Sequence, residues 1–129
     1  MIPVLLFCSA AVLIFIGCAH SYLGERVVFS RLFALPNLPL LHNDRRYTEQ
    51  MLRFAWHLTS LAWWGFAAVV AALAGTSATP RMVGMLIGAT VILSGVVIVA
   101  TAGKRHPAWW LFLVSGTGIL AGTMLIGKA

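Results

Sequence analysis

The chain has 129 residues, of which 60% are hydrophobic and 9% are charged. Soluble globular domains carry about a quarter of charged residues, so this composition excludes a water-soluble domain and predicts a protein that lies in a lipid bilayer. The formal net charge of +6 belongs to short segments beside apolar stretches. That distribution is typical of membrane proteins and argues against a nucleic-acid-binding module.

Four apolar stretches are each long enough for a helix to cross the hydrocarbon core, which takes about 20 residues. The chain length indicates one domain, residues 1–129. We therefore predict an all-α integral membrane four-helix bundle, a single transmembrane domain with a short interfacial segment between its first two helices. The predicted spans are Ile2–Leu23, Met51–Ala74, Met82–Ala102 and Ala108–Ile126.

The first span contains two cysteines and leads into a mixed polar and apolar segment. Cys8 and Cys18 lie ten residues apart, about 15 Å along a helix, so they cannot form a disulfide within the chain. The segment Glu25–Leu35 mixes valine, leucine and phenylalanine with arginine, a pattern that predicts a short helix in the membrane interface. Prolines at positions 36 and 39 then end it.

The second helix is expected to begin before the membrane does. Asn43 or Asp44 can cap it, because both side chains accept hydrogen bonds from the first backbone N–H groups of a helix. The four-residue spacing of Arg45 with Glu49, and of Glu49 with Arg53, predicts two ion pairs on its surface.

Glycines mark possible contact faces on the third and fourth spans. Gly84, Gly88 and Gly95 fall on one face of the third span, and Gly118 and Gly122 form a pair four residues apart on the fourth. Small residues let helices approach closely in lipid. We expect the third and fourth helices to meet through these faces, although either face could instead form a dimer.

The charged residues predict the orientation of the chain. All four histidines and ten of the twelve charged residues lie on one side of the four spans. Basic residues in short loops favour the cytoplasmic side, so both chain ends are expected outside, in the inner membrane of a bacterium. The basic residues of the cytoplasmic side are Arg26, Arg31, Arg45, Arg46, Arg53, Lys104 and Arg105, against Arg81 and Lys128 on the other.

A candidate site follows from the depth of two histidines. His20 lies one turn inside the end of the first span and His57 one turn inside the start of the second. The two helices run in opposite directions, so both imidazoles lie at nearly the same depth, about 6 Å below the interface. Ionisable groups inside a membrane span indicate a possible functional site. The candidate binding residues are His20, His57, Arg53 and Glu25, with Tyr22, Ser60 and His106 as possible neighbours.

Four interpretations of this cluster stay open. His20 and His57 could ligate a b-type haem, with arginines near its propionates. A quinone headgroup could bind between a histidine and the aromatic residues. A metal could be held by His20, His57 and His106. The fourth interpretation is structural, with the polar residues bonding neighbouring helices or reaching lipid headgroups.

Two motifs resemble a known pattern. The sequences HSYLGER at 20–26 and LRFAWHLTSLAWW at 52–64 are similar to a pattern that recurs in small, uncharacterised four-span bacterial inner-membrane proteins. The resemblance covers the first two helices, about half of the chain, and implies a multi-pass membrane location without implying an activity. It directs attention to the residues reached by the depth argument, together with Gly24 and Trp56.

The sequence favours a non-enzymatic role. Its only acids are Glu25, Asp44 and Glu49, and none of them lies in the middle of a span. We expect a small subunit or partner-binding component of a membrane complex, with a membrane-protein partner or a second copy of the chain. The alternatives are a redox protein holding haem or quinone at His20 and His57, and a small transporter.

Overall fold

The computed structural model describes residues 2–75, 78–104 and 106–126. All regular secondary structure in these ranges is helical, which confirms the predicted all-α fold. The α-helices are α1 (Ile2–Leu23), α2 (Ser30–Leu32), α3 (Arg45–Ala74), α4 (Pro80–Ala102) and α5 (Ala108–Leu125), and a short 3-10 helix, Leu41–Asn43, precedes α3. Four of them, α1, α3, α4 and α5, are long and apolar enough to cross a membrane. The chain is therefore a small multi-pass membrane protein.

The segment after the first span is an extension of α1. A π-helical turn, Gly24–Phe29, joins α1 to α2 without an interruption of the helical backbone. The predicted separate interfacial helix over Glu25–Leu35 is thus replaced by one continuous helical stretch. A π-helical turn holds one residue more than an α-helical turn and rotates the following side chains by about 100° around the axis.

The start of α3 follows the predicted capping chemistry. Asp44 caps the helix by accepting a hydrogen bond of 3.0 Å from the backbone N–H of Tyr47. The ion pair of Arg45 with Glu49 is formed at 3.1 Å. The second predicted pair, Glu49 with Arg53, is wrong, because Arg53 pairs with Glu25 instead.

Arg45 also holds the segment that precedes α3. Its guanidinium donates to the backbone carbonyls of Phe33 and Leu35. Carbonyls after the end of a helix lack partners within that helix, so an arginine that reaches them replaces the missing hydrogen bonds. Arg45 therefore ties the end of the α2 region to the start of α3.

The helices pack on one another in the order of the chain. α1 packs along α3, α3 packs on α4, and α4 packs on α5. The largest side chains that are fully buried are those of Phe29 and Ile98. Most apolar side chains face outward, as expected where lipid is the solvent.

Glycines bring α4 and α5 together, as predicted, but through a different face of α5. Gly84 contacts Thr123, Gly88 contacts Leu120, and Gly95 contacts Leu113, so the predicted face of α4 is confirmed. The predicted use of the Gly118 and Gly122 face of α5 for this contact is wrong, because nothing described lies within 4 Å of a Cβ built at either glycine. Gly116 provides the contact instead, against Ile92 and the carbonyl of Gly88.

Charged groups lie mainly at one end of the helices. The described basic residues at that end include Arg26, Arg31 and Arg53, whereas Arg81 lies at the opposite end of α4. Two of the basic residues on which the predicted orientation is based, Arg105 and Lys128, lie outside the described residues.

Candidate functional site

Two tryptophans of α3 lie against glycines of the first helical stretch. Trp64 covers Gly17 and Trp56 covers Gly24, and neither glycine has room for a Cβ atom. Each indole then donates its N–H to a backbone carbonyl, Trp56 to His20 at 2.9 Å and Trp64 to Ile14 at 3.3 Å. These two contacts fix the position of α1 along the axis of α3. That position decides which polar side chains of the two helices can meet.

His57 links the two helices through both of its ring nitrogens. Its Nε2 donates to Glu25 Oε1 at 2.9 Å, since an ionised carboxylate only accepts. Its Nδ1 is hydrogen-bonded with the hydroxyl of Ser21 at 2.9 Å. Ser21 in turn donates to Ser60, a nearly fully buried residue of α3, at 2.9 Å. The result is a chain of four polar groups that runs from Glu25 into the helix interface.

Arg53 closes the charged end of this chain. Its Nε lies 3.1 Å from both carboxylate oxygens of Glu25. The guanidinium also lies 5.0 Å from the ring centre of Phe33 and 6.0 Å from that of Phe29, within the range of a cation–π contact. The π-helical turn supplies Glu25 and Phe29, so it carries the groups that hold Arg53.

His20 lies against a different side of α3. Its ring stacks on Trp56 at 4.2 Å between ring centres and meets the edge of Trp63 at 5.0 Å. Thr59 donates its hydroxyl hydrogen to the carbonyl of Trp56, so His20 Nε2 donates to Thr59 Oγ1 at 2.9 Å. The neutral form of His20 therefore carries its hydrogen on Nε2.

The structure brings together four of the predicted residues and leaves three apart. Glu25, Arg53, His57 and Ser60 form one connected cluster. His20 lies outside this cluster, stacked on the indole of Trp56 and hydrogen-bonded to Thr59. Tyr22 is 64% exposed, and His106 contacts Phe54 and the backbone of Ala108.

This geometry favours hydrogen bonding over metal or haem ligation by the histidines. Two axial histidines must turn one nitrogen each toward the same iron. Instead, each Nε2 is engaged with its own partner, Thr59 for His20 and Glu25 for His57. Within the described ranges, no three side chains of histidine, cysteine, aspartate or glutamate are grouped to hold a metal ion.

An apolar groove lies beside His20. Its volume is about 490 Å³, and it is lined by Leu32, Leu52, Trp56 and Trp63 among others. Its accessible surface is almost entirely apolar. Such a groove suits a hydrocarbon chain better than a quinone headgroup, whose oxygens require hydrogen-bond donors.

The chain matches no protein-family model, no curated protein and no solved structure.

The sequence analysis missed Ser21 and Thr59, the partners of the two histidines. A signal for Ser21 was present, since it lies four residues before Glu25 and four after Gly17 and therefore shares a helix face with them. For Thr59, the spacing of three from Trp56 places both on the side of α3 that His20 meets. No sequence signal marks the π-helical turn, in which Gly24 lies against the indole of Trp56.

Proposed function

We propose that the protein is a non-enzymatic component of a membrane complex that binds a partner through the outer face of α1. The observation that carries this proposal is the exposure of that helix. Among its described residues only Ala10 and Gly17 are buried, while Phe7 and Phe15 are 53% and 71% exposed. A peripheral helix with one long apolar side available suits a helix–helix contact in lipid.

The polar cluster supports a structural role. His57, Glu25, Arg53 and Ser21 satisfy one another, and none of the described buried side-chain nitrogen or oxygen atoms lacks a hydrogen-bond partner. Polar groups that bond across helices stabilise their packing. We infer that the cluster holds α1 against α3 in the orientation that presents the outer face to a partner.

We also infer an orientation and a membrane. The charged end of the bundle is assigned to the cytoplasm of a bacterial cell, with the start of α1 and the end of α5 on the outer side of the inner membrane. Arg26, Arg31, Arg46 and Lys104, all exposed at that end, support this assignment.

Site-specific photo-crosslinking in native membranes tests the proposed partner contact. Benzoylphenylalanine replaces Phe7 or Phe15 in separate variants, and the control variant carries it at Val114, a 64% exposed residue of α5. We expect adducts of one defined mass from both α1 positions, identified by mass spectrometry as the same protein, and none from Val114. An adduct with a second copy of the chain also counts as a partner contact.

Two results would contradict the proposal. One is the formation of lipid adducts alone at Phe7 and Phe15. The other is an equal set of protein adducts from Val114, since random collisions in the membrane do not distinguish helix faces.

A further inference from the structure

We propose that the outer surface of the α1–α2 stretch and α3 is a binding site for one anionic phospholipid. Arg31 binds its phosphate and an apolar groove takes one of its acyl chains. This site is independent of the proposed partner contact, because it lies at the charged end of the bundle and uses different residues.

The site is built from two adjoining grooves. The outer groove has a volume of about 400 Å³ and is lined by Val27, Val28, Arg31, Leu32 and Leu35. The inner one is the groove beside His20, and Val28 and Leu32 line both. The combined surface therefore begins at a guanidinium and continues along apolar side chains.

The length of the inner groove fits one leaflet of a bilayer. Along α3 it extends from Leu52 to Trp63, which is about 16 Å at 1.5 Å per residue. Half of a hydrocarbon core measures about 15 Å. An acyl chain whose glycerol lies near Leu52 thus reaches the middle of the membrane near Trp63.

No acid of the described chain is available to Arg31, so an anion that binds it comes from outside the chain. Each of the three acids is engaged elsewhere: Glu25 with Arg53 and His57, Glu49 with Arg45, and Asp44 at the N-terminus of α3. Arg31 is exposed and forms no ion pair with an acid in the described part of the chain. Guanidinium groups bind phosphate oxygens well, and basic residues at this face attract anionic lipids.

Quenching of tryptophan fluorescence by brominated lipids tests the site, because Trp56 and Trp63 line the inner groove. The protein is reconstituted in phosphatidylcholine vesicles that contain a small fraction of lipid with brominated acyl chains. This lipid is either phosphatidylglycerol or phosphatidylcholine at the same bromine content. For the wild type we expect roughly two- to fivefold more quenching from the phosphatidylglycerol, which reflects its enrichment at the groove.

Three variants locate this excess quenching. Arg31→Gln removes the proposed phosphate contact, and Ala55→Phe fills the inner groove at an exposed position. Arg26→Gln is the matched control, because Arg26 is also exposed near α2 but lines neither groove. We expect the excess to disappear in the first two variants and to persist in the control, with all three retaining the wild-type circular dichroism spectrum.

The proposal is overturned by either of two outcomes. In one, the wild type shows no excess quenching by phosphatidylglycerol. In the other, Arg26→Gln loses as much of the excess quenching as Arg31→Gln. That result indicates a general attraction of anionic lipid to the basic surface without a defined binding site.

Discussion

Ser21 and His57 couple α1 to α3 through groups that neither helix could satisfy alone. Ser21 also bonds Ser60, and His57 also bonds Glu25. Removal of one of the two leaves the other with one hydrogen bond fewer in a partly buried interface. The energies of two such substitutions are therefore not additive.

We predict that Ser21→Ala and His57→Ala each destabilise the protein, and that a double-mutant cycle gives a coupling energy of about 0.5–1.5 kcal/mol, the typical net value of one hydrogen bond. Thermal unfolding in detergent provides the measurement. Ser9→Ala is the control, because the Ser9 hydroxyl donates to the carbonyl of Leu5 in its own helix. Coupling of equal size between Ser9 and His57 would contradict the prediction.

The sequence predicted that His20 and His57 lie at one level along their helices, but not their direction around the helix axes. Counting residues from the interface places His20 and His57 at one level, and Trp56 indeed contacts His20 beside His57. The side of α3 that each meets depends on the rotation of the helices about their axes. That rotation is fixed by the fit of Trp56 and Trp64 on Gly24 and Gly17, a matter of side-chain shape that residue spacing does not describe.

At the scale of helices, the contact between α4 and α5 depends on glycines of one face. A Cβ at Gly88 would lie 2.7 Å from Leu120 Cδ2, whereas the space around Gly122 is open within 4 Å of the described atoms. A larger side chain thus disturbs the packing of α4 on α5 at Gly88 and leaves it undisturbed at Gly122.

We predict that Gly88→Leu lowers the free energy of unfolding by about 1–3 kcal/mol, as overpacking of a tight contact does. Gly122→Leu is expected to leave it unchanged or slightly higher, because leucine favours helix more than glycine. Thermal unfolding in detergent compares the two variants, and light scattering reports their mass. A larger loss of stability for Gly122→Leu would show that its face is a contact after all.

The helices themselves were predictable, since length and hydropathy define them, and α1 has the predicted bounds Ile2–Leu23. The contacting face of α5 was not. Gly118 and Gly122 have the spacing of a contact pair, yet Gly116 makes the contact. A helix that is apolar on every side gives no periodic signal for its buried face.

For the whole molecule, the proposed orientation rests on the distribution of charge. The transfer of basic residues across the membrane is unfavourable during insertion. Short loops rich in arginine therefore stay in the cytoplasm. Arg26, Arg31 and Arg46 therefore oppose the inverted orientation far more strongly than Arg81 opposes the proposed one.

We predict that reporter fusions in bacterial cells give one orientation only. Alkaline phosphatase fused after Ile126 should be active, since it folds outside the cytoplasm, and green fluorescent protein at the same position should be dark. Insertion of the reporters between Pro36 and Asn37 should give the reverse pattern. Activity of alkaline phosphatase at both positions would indicate two orientations and contradict the assignment.

The order in which the helices pack has a consequence for biosynthesis. Within the described residues, each long helix packs mainly on the long helix that precedes or follows it in the chain. Each partner is thus already in the membrane when the next helix leaves the ribosome, and N-terminal parts fold first during synthesis. The bundle can accordingly assemble stepwise during translation, with no early helix left waiting for a contact that only the last one supplies.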